Sequence, residues 1–403
     1  MRRVFLSMSA VAIFVCTTLA ATLTVPTPYA TIQGAIDSAI DGDTILVSPG
    51  LYSENLHFRG KALFVTSTFL TDQDPATIRA TIIDGSNPVN GDSGSVVVFV
   101  ATAASSPTLY GFTLRNGIGT AVPGSYRGGG IFISDSCAPV VKYNIIRGNN
   151  ALVGGGIAAR NAKPVISHNA IFANNADKGG GVSLTGCQVL LEHNVVYGNA
   201  ATSQGGGLYA QSSTVDFGHN IIAYDTAASG GGIYCSDGEL GIEFCDLYGN
   251  LGGDLVGCMP AGFGDTSWGY NFNHDRVDAY YNLFVDPMLS NPAALNFALN
   301  CNSRLVDAGE NMPETFPYGG KREDIGMFEI KYYPGDMNYD KKLNLADATA
   351  IVNIIFRNAS LPCPIYVADL DCNRKINMSD LVGLIAYWSG LGPVPCALSP
   401  AIR

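Results

Sequence analysis

The 403-residue chain has little charge, and positive charge is the scarcer kind. Only 14% of residues are charged, and 23 Lys and Arg stand against 34 Asp and Glu, a formal net charge of −11. Nucleic acid is a poor partner for such a chain, because a phosphate backbone is held by Lys and Arg. Beyond the N-terminus no segment reaches the roughly 18 uninterrupted apolar residues of a membrane helix, so the chain does not read as membrane-spanning. At 47% hydrophobic residues it is too apolar to stay disordered. Glycine is abundant, 47 residues, but does not recur at every third position, which excludes collagen.

Arg2 and Arg3 precede an apolar run from Val4 to Val15, followed by Thr18-Leu19-Ala20-Ala21. This is the pattern of a secretory signal peptide over residues 1–21. The expected mature chain is exported and soluble, beginning near Ala21 or Thr22. Of ten cysteines, Cys16 leaves with the signal, so at least one of the remaining nine is unpaired or bonds another chain.

What fills the middle is a repeat. Triple glycines begin at Gly128, Gly154, Gly179, Gly205 and Gly230, in steps of 26, 25, 26 and 25 residues. A second column, Asn144, Asn169, Asn194, Asn220 and Cys245, keeps the same period, and a third stands at Asn149, Asn174, Asn199, Asp225 and Asn250. After each triple glycine the first position is aliphatic: Ile131, Ile157, Val182, Leu208 and Ile233. The third is aliphatic or small, and the even positions are mixed. Period two marks a strand with one buried face. A second strand turns Val141, Ile166, Leu191, Phe217 and Ile242 inward, and a third turns in Ile146, Ile171, Val196, Ile222 and Leu247. Three short strands per coil cannot bury their inner faces alone, but stacked coil on coil they form a solenoid. The asparagines suit left-handed turn positions, with amides bonded along the stack.

These features resemble the right-handed parallel β-helix (pectin lyase-like) family, which includes pectate lyases and polygalacturonases. The fold class implied is an all-β solenoid over residues 22–331. Thr31 to Ile40 reads as an amphipathic helix, with Ile32, Ala35, Ile36, Ala39 and Ile40 on one face, covering the open N-terminal end. Gly111 to Gly117 reads as an earlier, less regular coil. Past Asn250 the period dissolves, and Phe284 to Glu329 is expected to hold looser coils and a closing segment.

A different pattern begins near residue 332. Asp336, Asn338, Asp340, Lys342, Asn344 and Asp347 occupy positions 1, 3, 5, 7, 9 and 12 of a twelve-residue loop. Asp369, Asp371, Asn373, Lys375, Asn377 and Asp380 repeat it 33 residues later. Oxygen side chains at this spacing, with the position-7 residue giving its main-chain carbonyl, form a calcium cage. An apolar helical segment follows each loop. Loop–helix twice over residues 332–403, with no helix before the first loop, resembles the type I dockerin, a small all-α calcium module. The resemblance implies two Ca2+ ions and a cohesin-bearing scaffold or surface protein as partner. It departs at position 6, where Lys341 and Arg374 stand in the usual place of glycine. It also departs at Leu345-Ala346 and Met378-Ser379, where cellulosomal dockerins often carry hydroxyl residues for the cohesin. The dockerin's antiparallel helices imply a Cys363–Cys372 disulfide with Cys396 free; the alternative pairing is Cys372–Cys396.

The column before the asparagines, Tyr143, His168, His193, His219 and Phe244, invites a metal reading. Copies about 4.8 Å apart along a line do not converge on a tetrahedral ion, so a side-chain ladder is the better reading. Cys137 and Cys187 lie two coils apart, too far to bond. Cys235 and Cys245 read as small buried hydrophobes.

The face after the triple glycines carries Phe132, Arg160, Tyr209, Gln211 and Tyr234, with Asp177-Lys178 on the turn leading in. Read as exposed, its aromatics could stack on sugar rings, making these five the candidate substrate-binding residues. No Asn-Thr-Asp, Asp-Asp or Gly-His-Gly stretch of the polygalacturonases is present, nor the Trp-x-Asp-His of the pectate lyases. No catalytic residue is therefore assigned. Two readings stand: a secreted polysaccharide hydrolase or lyase tethered by its dockerin, and a non-catalytic, adhesin-like body on the same tether. Either is expected to be a monomer.

Overall fold

The computed structural model describes residues 20–88, 93–100, 105–311, 322–330, 333–338, 340, 342–362, 367–371, 373 and 375–392. Most of the expected signal peptide, residues 331–332 at the expected domain boundary, and the Cys363, Cys372 and Cys396 pairings lie outside them. Among the described residues no helix is long and apolar enough to cross a membrane.

Three parallel sheets of nine, eight and eight strands run the length of the body. Each coil contributes one strand to each, as in Val165–Ser167, Ala170–Phe172 and Val182–Thr185. The register follows the repeat: Ile131 pairs with Ile157, then Val182, Leu208 and Ile233 in successive coils. The inward columns form one core with no solvent access to Val141, Ile146, Ile166 or Ile222. Helix α1 (Ile32–Ser38) is capped by the Thr31 hydroxyl and packs on the first coil, burying Ile32, Ala35 and Ile36. Ile40 does not share that face. It follows the extended C-cap at Ala39 and is exposed.

The left-handed residues of the repeat are not the asparagines. Beside the first asparagine column they stand one place earlier, at Tyr143, His168, His193, His219 and Phe244, with φ between 49° and 56°. That leaves each asparagine amide buried and aimed along the stack. Asn169 Oδ1 accepts from the Asn144 N–H at 2.9 Å and from its Nδ2 at 3.2 Å, and Asn194 Oδ1 does the same for Asn169. The second column repeats the scheme through Asn149, Asn174 and Asn199. At its fourth place Asp225 Oδ1 accepts from Asn199 N and Nδ2, but the buried Oδ2 has no partner among the described residues. Neighbouring asparagines use that second atom to donate to Ile146, Ile171 and Ile222 carbonyls. Burial therefore holds the Asp225 carboxyl far above the ordinary carboxylate range.

Asp225→Asn should stabilise the fold by about 1–3 kcal/mol at pH 7, by supplying the missing donor. An acid whose folded pKa is raised takes up a proton on folding, so its destabilising share grows as pH climbs above the unfolded value. The gain should thus be larger at pH 7 than at pH 4. Guanidinium titrations of both proteins at the two pH values measure it, and a gain that shrinks toward pH 7 contradicts the argument.

The cysteines depart from expectation at one place. Cys235 is bonded to Cys258. The strand Leu255–Gly257 lies beside Ile233–Ser236 and sets Gly257 against Cys235, which delivers the next residue, Cys258, to the sulfur. Cys137, Cys187 and Cys245 are free and buried. Cys245 stands in for an asparagine, accepting from Asn220 N–H and donating to backbone carbonyls.

Among the described residues beyond 284 there is no further run of coils. Phe297, Leu299, Leu305, Val306, Ile325 and Met327 fold back over the outer face of the middle sheet, onto Ile145, Ala170, Val195 and Ile221. Those four are apolar and outward-facing, so they need such a cover. Residues 333–392 hold a separate small core around helices α4 (Leu345–Arg357) and α5 (Met378–Trp388), the chain's α2 and α3 being Phe69–Asp72 and Pro75–Ala80.

Candidate functional sites: paired oxygen loops and a histidine groove

Among the described residues the two twelve-residue loops share most of their hydrogen bonds. The position-5 N–H donates to the position-1 carboxylate: Asp340 to Asp336 at 3.1 Å, Asn373 to Asp369 at 3.0 Å. The position-7 N–H donates to the position-5 side chain, Lys342 to Asp340 and Lys375 to Asn373, both at 2.8 Å. Asn344 and Asn377 cap the following helices, and Asp347 and Asp380 complete the capping boxes. Asp347 and Asp380 are fully buried and also accept from Met337 and Leu370 N–H. Burial raises the Asp380 pKa.

Asp369, Asp371 and Asp380 each bring a carboxylate oxygen within 4.8 Å of the other two. Ligands about 2.3–2.6 Å from one calcium ion can stand no farther apart than about twice that radius. An all-oxygen donor set at this spacing fits a hard cation of calcium's size. Asp336, Asn338, Asp340, Asn344 and Asp347, with the Lys342 carbonyl, would hold the first ion. Asp369, Asp371, Asn373, Asn377 and Asp380, with the Lys375 carbonyl, would hold the second. Position-6 residues Lys341 and Arg374 lie outside the described residues.

The five candidate sugar-contact residues do share one sheet, but they do not form an exposed platform. Phe132 is 4% exposed and Tyr209 5%. Val100 and Val122 pack on the cluster of Val98, Phe132 and Ala158; Val122 comes from the hairpin of Gly119–Val122 and Ser125–Arg127, which interrupts the coil at this point. Tyr209 stacks on Tyr234 at 5.7 Å, carries Lys178 over its ring, and donates to Gln211. Of the five only Arg160 is exposed, with Gln211 and Tyr234 half-buried.

The left-handed column forms a continuous ring ladder. Tyr143, His168, His193, His219, Phe244 and Tyr281 follow one another with centroids 4.7–5.3 Å apart, Tyr143 tilted on His168 and the rest stacked. The folded-back segment adds something the repeat does not announce. Glu323 brings Oε2 to 3.2 Å from His193 Nε2 and 3.5 Å from His219 Nε2. Together they wall a groove of about 600 Å3 with His168, Glu192, Glu310 and Glu329. The Glu310 N–H donates to His219 Nε2 at 3.2 Å.

Burial, with His193 alongside, holds the His219 imidazole down at about 4, and burial holds His168 down at about 2. The bond from His193 lowers the Glu323 carboxyl. Behind it Asp324 and Glu329 are pushed up to about 7 and about 9, by burial first and neighbouring carboxylates second. At neutral pH the groove therefore carries the neutral imidazoles of His168 and His219 beside an ionised Glu323. Sequence reasoning found the ladder and missed Glu323, which lies far outside the repeat. The one available signal was the uncovered apolar column at Ile145, Ala170, Val195 and Ile221.

Residues 125–258 match the family described as right handed beta helix region. No curated protein matches the chain. Among solved structures it is similar to the pectin methyl esterase of the rice weevil, at 11% identity over 58% of this chain and 79% of that one, TM-score 0.33. It is also similar to the pectin methylesterase of Aspergillus niger, at 13% over 66% and 83%, TM-score 0.28, and to pectate lyase Pel9A, at 11% over 77% and 97%, TM-score 0.29. Overlaps this loose carry no argument about activity. The stacked parallel sheets and the matched region together make the body of this chain a right-handed parallel β-helix.

Proposed function

We propose that the chain is an exported, carbohydrate-associated β-helix held to a partner by a two-calcium, dockerin-like module. The observation that carries the reading is the duplication of one loop geometry, with oxygen ligands at the same positions and a capped helix after each. A cohesin-type partner is supported by the face that α5 leaves uncovered: Met378, Val382, Ile385 and Trp388 are each 43–58% exposed. The body's polysaccharide contact falls to Arg160, Gln211 and Tyr234, the three candidate residues that reach solvent.

The burial of Phe132 and Tyr209 favours a second reading, in which the body is a non-catalytic surface element on the same tether. The two separate in one experiment. The purified chain is screened against a polysaccharide panel, with products read by mass and by unsaturation absorbance. Hydrolase or lyase action gives shortened or unsaturated products, and Arg160→Ala and Tyr234→Ala each lower turnover at least tenfold. A panel with neither binding nor products leaves the surface-element reading standing.

A further inference from the structure

We infer that His193, His219 and Glu323 form a binding site for a borderline divalent metal ion of the zinc type, separate from the calcium loops. Three donor atoms from two distant parts of the chain lie within 4.8 Å of one another in the wall of the groove. Two of the three edges already suit a tetrahedral ion. Bonds of about 2.0–2.1 Å place tetrahedral ligands roughly 3.4 Å apart, and Glu323 Oε2 stands 3.2 and 3.5 Å from the two imidazole nitrogens.

The third edge is the long one. The imidazoles stack at 4.7 Å between centroids and 12° between planes. Binding requires their Nε2 ends to tip together, toward the groove that both rings face. The asparagine column fixes the backbone beneath them and leaves the side-chain torsions to make that movement.

The tautomer at one ligand suits the role. His219 Nε2 accepts from the Glu310 N–H and so carries no proton; a bound metal ion would take that lone pair in place of the Glu310 bond. Two imidazoles and one carboxylate are a donor set that selects zinc-like ions over calcium, whose ligands are oxygens. Three protein ligands also leave a fourth position, and here it opens on the groove. A ladder needs only the flat faces of its rings, and neither face explains a carboxylate bridging two ring edges from another part of the chain.

The test uses the full chain in buffer holding millimolar calcium, so that the oxygen loops are filled, with zinc chloride titrated calorimetrically. The expected result is one zinc per chain, with affinity at least tenfold weaker in Glu323→Gln and at least a hundredfold weaker in His219→Gln. Cobalt should give the visible absorption of a tetrahedral site in the wild type and lose it in both variants. Glu323 is part-exposed, so its variant keeps the fold. No zinc uptake by the wild-type chain, or uptake that Glu323→Gln leaves unchanged, overturns the inference.

Discussion

Asn194→Ala is expected to destabilise the β-helix by about 3–5 kcal/mol. Asn194 Oδ1 accepts from both Asn169 N and Nδ2. Its Nδ2 donates to the Ile166 and Glu192 carbonyls and to Asn220 Oδ1. Truncation strips five bonds at a site without solvent access, and leaves the buried Asn169 N–H with nothing to donate to. The cost of an unmade buried bond exceeds the modest net worth of a made one, which is why the figure is large. Asn175 lies at an exposed position of the preceding coil, and Asn175→Ala should change stability by no more than about 0.5 kcal/mol. Guanidinium denaturation of the three proteins measures both values. A loss below about 1 kcal/mol for Asn194→Ala contradicts the ladder's part in holding the coils together.

Chelating calcium should abolish amide protection over α4 and α5 while the coils keep theirs. The small core of the paired loops holds Ala348, Ile351, Ala368, Leu370, Leu381 and Leu384. A core of that size rarely supplies more than about 3–5 kcal/mol without a metal or a disulfide. Against it stand six crowded aspartates, two of them, Asp347 and Asp380, fully buried. An ion present at a thousand times its Kd contributes about 4 kcal/mol, comparable to the whole stability of such a module. Hydrogen exchange read by mass on the full chain resolves the two regions. Protection of α4 and α5 that survives chelation contradicts the calcium dependence.

The repeat was legible because stacking copies its period into register. Columns 25 or 26 residues apart became neighbouring strands, and the apolar inner positions became the core. The inner faces of coils 128–250 could be named residue by residue. Two other features depended on geometry that a column does not carry. The asparagines bond along the stack because the residue before each one takes the left-handed turn. Phe132 and Tyr209 stand at mixed positions that read as solvent-facing. One lies under a hairpin that breaks the coil, and the other under Lys178 and Tyr234.

The groove was the least legible part. Glu323 reaches His193 and His219 only because the chain past 284 folds back over the middle sheet. No local pattern around Glu323 marks that return. Its trace lies in the partner surface, where Ile145, Ala170, Val195 and Ile221 break the alternation expected of a solvated face. Cys258 escaped for a similar reason, since the coil that carries it to Cys235 has already lost the period. The paired loops, in contrast, are local structures. Their oxygen spacing and the caps of the helices after them lie within twelve consecutive residues, and both copies show the capping box at Asn344 and Asn377.

Calorimetric titration of the full, calcium-free chain with calcium chloride tests the central reading most directly. Two ions should bind per chain, with Asp336→Ala and Asp369→Ala each reducing the stoichiometry to one. Binding of no calcium by the wild-type chain, or a stoichiometry that neither variant changes, would contradict it.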